Sequence, residues 1–188
     1  HVRSRRQRQM CIRDRLSGRP HPALQNINTT RDAQKLRLHL KFLTCDFLTN
    51  ERIAIDQPFR SPTCLLCGDT IESLEHVLVT CRATMDVRSR LLPELLNAVA
   101  RVQPTCQILQ KLPPPSILAQ FVTDCSSFIL PGNVRIPTHN PDISKIFRIS
   151  RDWCYSINSE RFRLLHSATT ENEDDVSNLS STNLPTNN

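Results

Sequence analysis

Pro62-Thr63-Cys64-Leu65-Leu66-Cys67-Gly68-Asp69-Thr70-Ile71-Glu72-Ser73-Leu74-Glu75-His76-Val77-Leu78-Val79-Thr80-Cys81 is the stretch that decides how this chain folds. Within it, Cys64-x2-Cys67-x8-His76-x4-Cys81 gathers three thiols and one imidazole. That spacing suits one tetrahedral zinc ion. Cys-x2-Cys-Gly is a tight turn in which two thiolates point the same way and a glycine relieves the backbone. The chain has only 3 glycines in 188 residues, so the one at Gly68 is informative. Thr70 is placed to cap a short helix, with Glu72 and Glu75 in its first turn. His76 and Cys81 are more than one α-helical turn apart, so Cys81 is expected from the frayed end of that helix. Leu74, Val77 and Leu78 would pack beneath the site. Cys64, Cys67, His76 and Cys81 together fill a tetrahedral shell and leave no position for water, which points to a structural ion. Disulfides fit less well, because no signal peptide is visible and paired Cys-x2-Cys outside secreted scaffolds more often binds metal.

Outward from this turn the chain reads as mainly α: a small helical domain stapled by one Cys-Cys-His-Cys zinc turn, with disordered ends. Residues 16–60 form a linker and a leading helix. Leu16 to Asn28 is the linker, and Thr29 or Thr30 caps a helix running to about Phe47. Leu36, Leu40, Leu43 and Phe47 recur at helical spacing, although Leu36 to Leu40 also alternates as a strand would. Asn50 to Pro62 reads as an irregular connection into the turn at 61–84. Residues 85–167 form a helical C-terminal region. Its first helix, Met85 to Val102, carries a stripe of Val87, Leu91, Leu95, Val99 and Val102, and Pro93 should kink or divide it. Ser116 caps a third helix through Phe128, ended by Pro131 and Gly132, with a loop from Asn133 to Asn140. Pro141 and Asp142 start a long fourth helix containing Ile143, Ile146, Phe147, Trp153, Cys154, Ile157, Phe162 and Leu165. Residues 168–188 turn to Ser, Thr, Asn and acid, a disordered tail by composition. No run is long and apolar enough for a membrane span.

Residues 1–15 stand apart. Arg5 to Asp14 reads as a translated sequencing adapter of the kind used in transposase-made libraries, and such segments are set aside in fold reasoning. The whole chain carries 24 Lys and Arg against 18 Asp and Glu. Without residues 1–15 these become 18 and 17, so the net charge falls from +6 to +1. The pI of about 9.1 therefore says little about nucleic acid. Removing the acidic tail of Glu171, Glu173, Asp174 and Asp175 leaves a body, 16–170, at +5, which is compatible with phosphate binding.

Leu38-His39-Leu40-Lys41-Phe42-Leu43-Thr44, Asn50-Glu51-Arg52, Pro62-Thr63-Cys64-Leu65-Leu66-Cys67-Gly68 and Glu75-His76-Val77-Leu78-Val79-Thr80-Cys81 stand in an order that resembles a known segment. It is the zinc-binding segment near the C-terminus of non-LTR retrotransposon reverse transcriptases. The resemblance covers about residues 35–95. Two departures occur: Cys45 stands where the family often has Gly, and Glu51 separates the usual Asn-Arg. The resemblance implies the C-terminal piece of a polyprotein whose endonuclease and polymerase lie upstream. No Tyr-x-Asp-Asp core is present, since the only tyrosine, Tyr155, is followed by Ser156. The chain is therefore expected not to be an enzyme. It is expected to be intracellular, to hold one structural zinc, and to contact element RNA or target DNA and the upstream polymerase. Lys41, Arg60, Arg82, Arg88 and Arg90 are the candidate phosphate contacts. Base readout by the turn is not expected, because no aromatic lies between Cys64 and Cys81. The competing reading is a zinc-stapled domain that docks on protein. A catalytic Cys-His pair among Cys45, Cys106, Cys125, Cys154, His39, His139 and His166 has no sequence support.

Overall fold

A computed structural model describes residues 22–24, 26–129 and 140–179, the last twelve as helical backbone alone. The adapter-like segment 1–15, the start of the linker, the Pro131-Gly132 stop with the loop after it, His139 and residues 180–188 lie outside these. Seven α-helices follow in order: α1 (Thr30–Leu43), α2 (Asn50–Asp56), α3 (Met85–Val102), α4 (Gln107–Gln110), α5 (Pro115–Thr123), α6 (Ser126–Ile129) and α7 (Pro141–Leu179). Between α2 and α3 sit a π-helical turn, His76–Thr80, and a 3-10 turn, Arg82–Thr84. The described residues contain no strand, only an isolated antiparallel bridge between Thr63 and Ile71. None of their helices is long and apolar enough to cross a membrane.

α7 is the spine. Asn140 caps it, its Oδ1 accepting from the backbone N–H of Asp142 at 2.9 Å. Ile143, Ile146, Phe147, Ser150, Trp153, Cys154 and Ile157 recur at the i, i+3, i+4, i+7 spacing of one helix face and are all buried. This face packs against α1, α3, α5 and both turns of the site. α3 meets it with Val87, Leu91, Leu95, Ala98 and Val99. Pro93 does not divide α3, which runs through it as one helix. A single proline removes one N–H, and the burial of α3 on α7 outweighs that local loss.

α1 departs from its expected face. Thr29 caps it in a full capping box with Asp32. Its buried residues are His39 and Phe42, whereas Leu36, Leu40 and Leu43 are only partly covered. The helix is rotated so that His39 Nε2 pairs with the Thr123 carbonyl at 2.7 Å and Lys35 pairs with Asp152 at 2.5 Å. It also stops at Leu43, short of Phe47. Thr44 bonds back to the Leu40 carbonyl at 2.8 Å, and Cys45 turns the chain with φ +57°. Phe47 then folds onto Phe42, ring centroids 4.1 Å apart.

Two further segments differ from the expected reading. Asn50–Asp56 is a helix, capped by Thr49, in place of an irregular connection. The single helix expected from Ser116 to Phe128 is two. Pro115 occupies the first turn of α5 and Asp124 breaks the run. The Asp124 carboxylate then accepts from the Ser126 N–H at 3.0 Å and starts α6.

A left-handed backbone costs an ordinary residue about 1–2 kcal/mol, partly offset in glycine by its looser unfolded state. Cys45→Gly is therefore expected to raise unfolding free energy by up to about 1 kcal/mol, and Cys45→Val to lower it, as read from urea midpoints.

Candidate metal centre

The first half of the centre is a loop held by backbone. The Gly68 N–H donates to the Cys64 carbonyl at 2.9 Å and the Cys64 N–H to the Thr70 carbonyl at 2.9 Å. Glu72 N–H to the Pro62 carbonyl, at 2.8 Å, closes the loop around the Thr63–Ile71 bridge. Gly68 has φ +70° with open space where a Cβ would sit, so its backbone angle alone calls for glycine.

The second half is a short helical turn started by Ser73, not Thr70. Ser73 Oγ accepts from the His76 N–H at 3.1 Å, and its carbonyl accepts from Val77 at 3.0 Å. From His76 the chain widens into a π-turn, in which the Cys81 N–H donates to the His76 carbonyl at 2.9 Å. This bond spans five residues where an α-helix spans four. A five-residue turn brings Cys81 back beneath His76, so no frayed end is needed.

Cys64, Cys67, His76 and Cys81 converge with one ligand atom each, all within 4.8 Å of one another and all four residues buried. Cys64 Sγ lies 3.8 Å from Cys81 Sγ, and Cys67 Sγ lies 3.4 Å from His76 Nε2. None of the described cysteines is in a disulfide. The cluster could hold a metal ion. His76 turns Nε2 inward because Nδ1 sits 3.0 Å from the Thr70 hydroxyl and 3.1 Å from the Thr80 hydroxyl. A hydroxyl acceptor at Nδ1 places the ring proton there and frees Nε2 as a ligand.

Burial dominates the electrostatics. It pushes the Cys64 thiol up to about 12 and the Cys81 thiol upward as well. Burial also opposes the Cys67 thiolate, but the backbone N–H of Asp69 and the neighbouring thiols outweigh it and the thiol is lowered. Burial lowers His76, which keeps the imidazole neutral, the form that binds metal. Buried this way, Cys64 and Cys81 would ionise beside Cys67 only with a cation among them.

Two arginines brace the shell from behind. Arg82 donates to the Cys67 carbonyl at 3.1 Å and pairs with Asp69 at 3.1 Å. Arg88 donates to the Thr84 hydroxyl at 2.7 Å and to the Cys81 carbonyl. Both were candidate phosphate contacts, and both are engaged with the turn itself. Lys41, Arg60 and Arg90 are exposed. Lys41 lies in the last turn of α1, Arg60 just ahead of the loop, and Arg90 on α3.

The centre is anchored to α7 at two points. Trp153 Nε1 donates to the Leu78 carbonyl at 3.2 Å. Glu72 is fully buried, and its Oε1 accepts from Arg161 at 2.6 Å and from the Asn50 N–H at 3.2 Å. Arg161 also lies over the Phe47 ring, 5.9 Å from its centroid. Asn50 Nδ2 donates to the Thr63 carbonyl at 2.8 Å, and Arg52 to the Cys45 carbonyl at 2.6 Å. Glu72, placed by sequence in the first turn of a short helix, is instead the link between the loop, α2 and α7. Its partner lies 89 positions away, and no local pattern announces it.

Removing both hydroxyls in a Thr70→Val, Thr80→Val variant is expected to weaken metal affinity about 10–100-fold with helicity retained, as measured by competition with a chelating dye. Glu72→Ala leaves Arg161 facing a buried void and is expected to cost about 3–5 kcal/mol in urea unfolding. Set against known protein families, curated proteins and solved structures, the chain matches none of them.

Proposed function

We propose that this chain is a zinc-stabilised, non-catalytic nucleic-acid-binding module, working inside the cell, from the C-terminal end of a non-LTR retrotransposon reverse transcriptase polyprotein. The observation that carries this reading is the closed, buried shell of three thiols and one imidazole. Zinc bonded to sulfur at about 2.3 Å in a tetrahedron sets sulfur atoms about 3.8 Å apart, and sulfur and nitrogen somewhat closer. The separations of 3.8 Å and 3.4 Å fit that ion. Cys64, Cys67, His76 and Cys81 would hold it, and it would supply folding free energy and fix the turn.

The resemblance to the retroelement segment gains physical sense from its details. Cys45, where the family often has Gly, adopts the left-handed backbone that glycine favours. Asn50 and Arg52 each tie α2 to a neighbouring carbonyl. The four protein ligands leave no open position for a reacting water. Cys125 and Cys154 sit in the core, where burial pushes both thiols up and away from the nucleophilic form. These points favour a non-catalytic role.

One observation favours the competing reading of a protein-docking domain. Phe59, Leu65 and Ile71, on and near the loop, are exposed, Phe59 by 84%. Salt dependence separates the two readings, since phosphate contacts release counterions and apolar docking does not.

Zinc analysis of the reduced full-length chain is expected to give one ion per molecule. None should remain in the Cys64→Ser, Cys67→Ser variant, which should also lose helical circular dichroism. Because the thiols bind as thiolates, uptake releases protons and affinity falls as pH falls. A folded wild-type chain without zinc overturns the reading. Nucleic-acid affinity that does not weaken with salt favours protein docking instead.

A further inference from the structure

α1, α3 and α7 enclose a groove of about 470 Å³ on the body of the domain. Its charged lining is unequal: Arg31, Lys35, Arg90 and Arg163 face two carboxylates, Asp152 and Glu160. Those carboxylates are already taken. Asp152 pairs with Lys35 at 2.5 Å and Glu160 with Arg163 at 2.6 Å. Arg31 and Arg90 are exposed and have no hydrogen-bonding or ion-pair partner among the described residues. Arg31 also sits in the first turn of α1, where the helix dipole disfavours a cation, so its place there gains α1 nothing.

We infer that this groove, rather than the metal turn, is the nucleic-acid face, and that it takes the phosphodiester backbone of a strand on Arg31 and Arg90. The inference rests on the nucleic-acid reading above and assigns its contacts. Tyr155, Ser156 and Ser159 line the same groove with hydroxyls, the donors that accompany guanidinium at phosphate oxygens. Lys35 Nζ lies 5.8 Å over the centroid of the Tyr155 ring and takes up one of its faces. Recognition there is by charge and hydroxyl, and is tolerant of sequence. Arg82 and Arg88 contribute to the metal turn and not to this face.

The test uses the full-length zinc-loaded chain with the six arginines of residues 1–15 changed to glutamine in every version, so that this segment cannot mask the body. Binding to 20-nucleotide single-stranded RNA and to duplex DNA of the same length is followed by fluorescence anisotropy across a salt series. Arg31→Ala with Arg90→Ala is expected to weaken binding about tenfold and to reduce the salt slope by about 1.4 for the single strand, two phosphate contacts' worth. Lys41→Ala with Arg60→Ala removes the same charge outside the groove and should change affinity less than twofold. Unchanged circular dichroism and zinc content in each variant tie the loss to the face. Equal losses in the two double variants, or equal binding of poly-glutamate by the parent chain, overturn the assignment while the nucleic-acid reading stands or falls on the parent's own binding. A parent chain that binds neither nucleic acid overturns both.

Discussion

The turn from His76 to Cys81 is the constraint on which the rest depends. An α-helical turn would leave Cys81 rotated away from His76, and a fully extended exit would carry it out of the cluster. The i→i+5 bond at 2.9 Å solves this by adding one residue to the turn. A wide turn is poorly packed by itself and is tolerated only where its surroundings hold it. Here Val77 and Leu78 drop into the helical core while His76 and Cys81 face the loop. The Leu78 carbonyl, which the widened ladder leaves available, accepts from Trp153. The same six residues, His76 to Cys81, therefore carry half of the candidate ligand set and one of the joints to α7.

That joint ties the candidate metal site to the helical body. The small cluster of Cys64, Cys67 and Cys81, with Leu66 and Ala83 around it, buries too little apolar surface to stand alone. It borrows stability through Glu72, whose carboxylate is met by Arg161 from α7 and by the N-terminus of α2. A fully buried carboxylate is tolerable only with such partners. In return, the loop fixes the direction of α2, which buries none of its own residues and owes its place to these contacts.

How much of this was legible depended on how local each cause is. The candidate ligand set, the cap at Thr29, the α7 start at Pro141, the α3 stripe and the α7 stripe all follow from spacings within a few turns. The face of α1 was misjudged because Leu36, Leu40 and Leu43 keep a helical spacing of their own. The burial is decided by His39 meeting Thr123, 84 positions away. The break at Asp124 was missed because Phe121, Cys125 and Phe128 keep helical spacing across it, and only the carboxylate's bond to the Ser126 N–H reveals the new start. Thr70 was legible as a hydrogen-bonding residue near the turn, but not as a partner of His76 Nδ1. That role needs the fold of the loop, which sequence spacing alone does not supply.

The cations then sort themselves by what their neighbours leave them to do. A shell of three thiolates, one imidazole and a divalent ion would keep one formal negative charge, and Arg88, partly buried against the Cys81 carbonyl, lies where that charge would be felt. Arg82 closes the loop from its exposed side through Asp69. These two guanidiniums, candidates for phosphate by their position beside the cysteines, are each bonded to a carbonyl of the turn. Across the domain, the opposite holds in the groove between α1, α3 and α7. There the carboxylates are satisfied by Lys35 and Arg163, and Arg31 and Arg90 are left over. Proximity in sequence to the cysteine turn thus accounts for Arg82 and Arg88 as its braces, while the two arginines left without a partner among the described residues sit where helices remote in sequence meet.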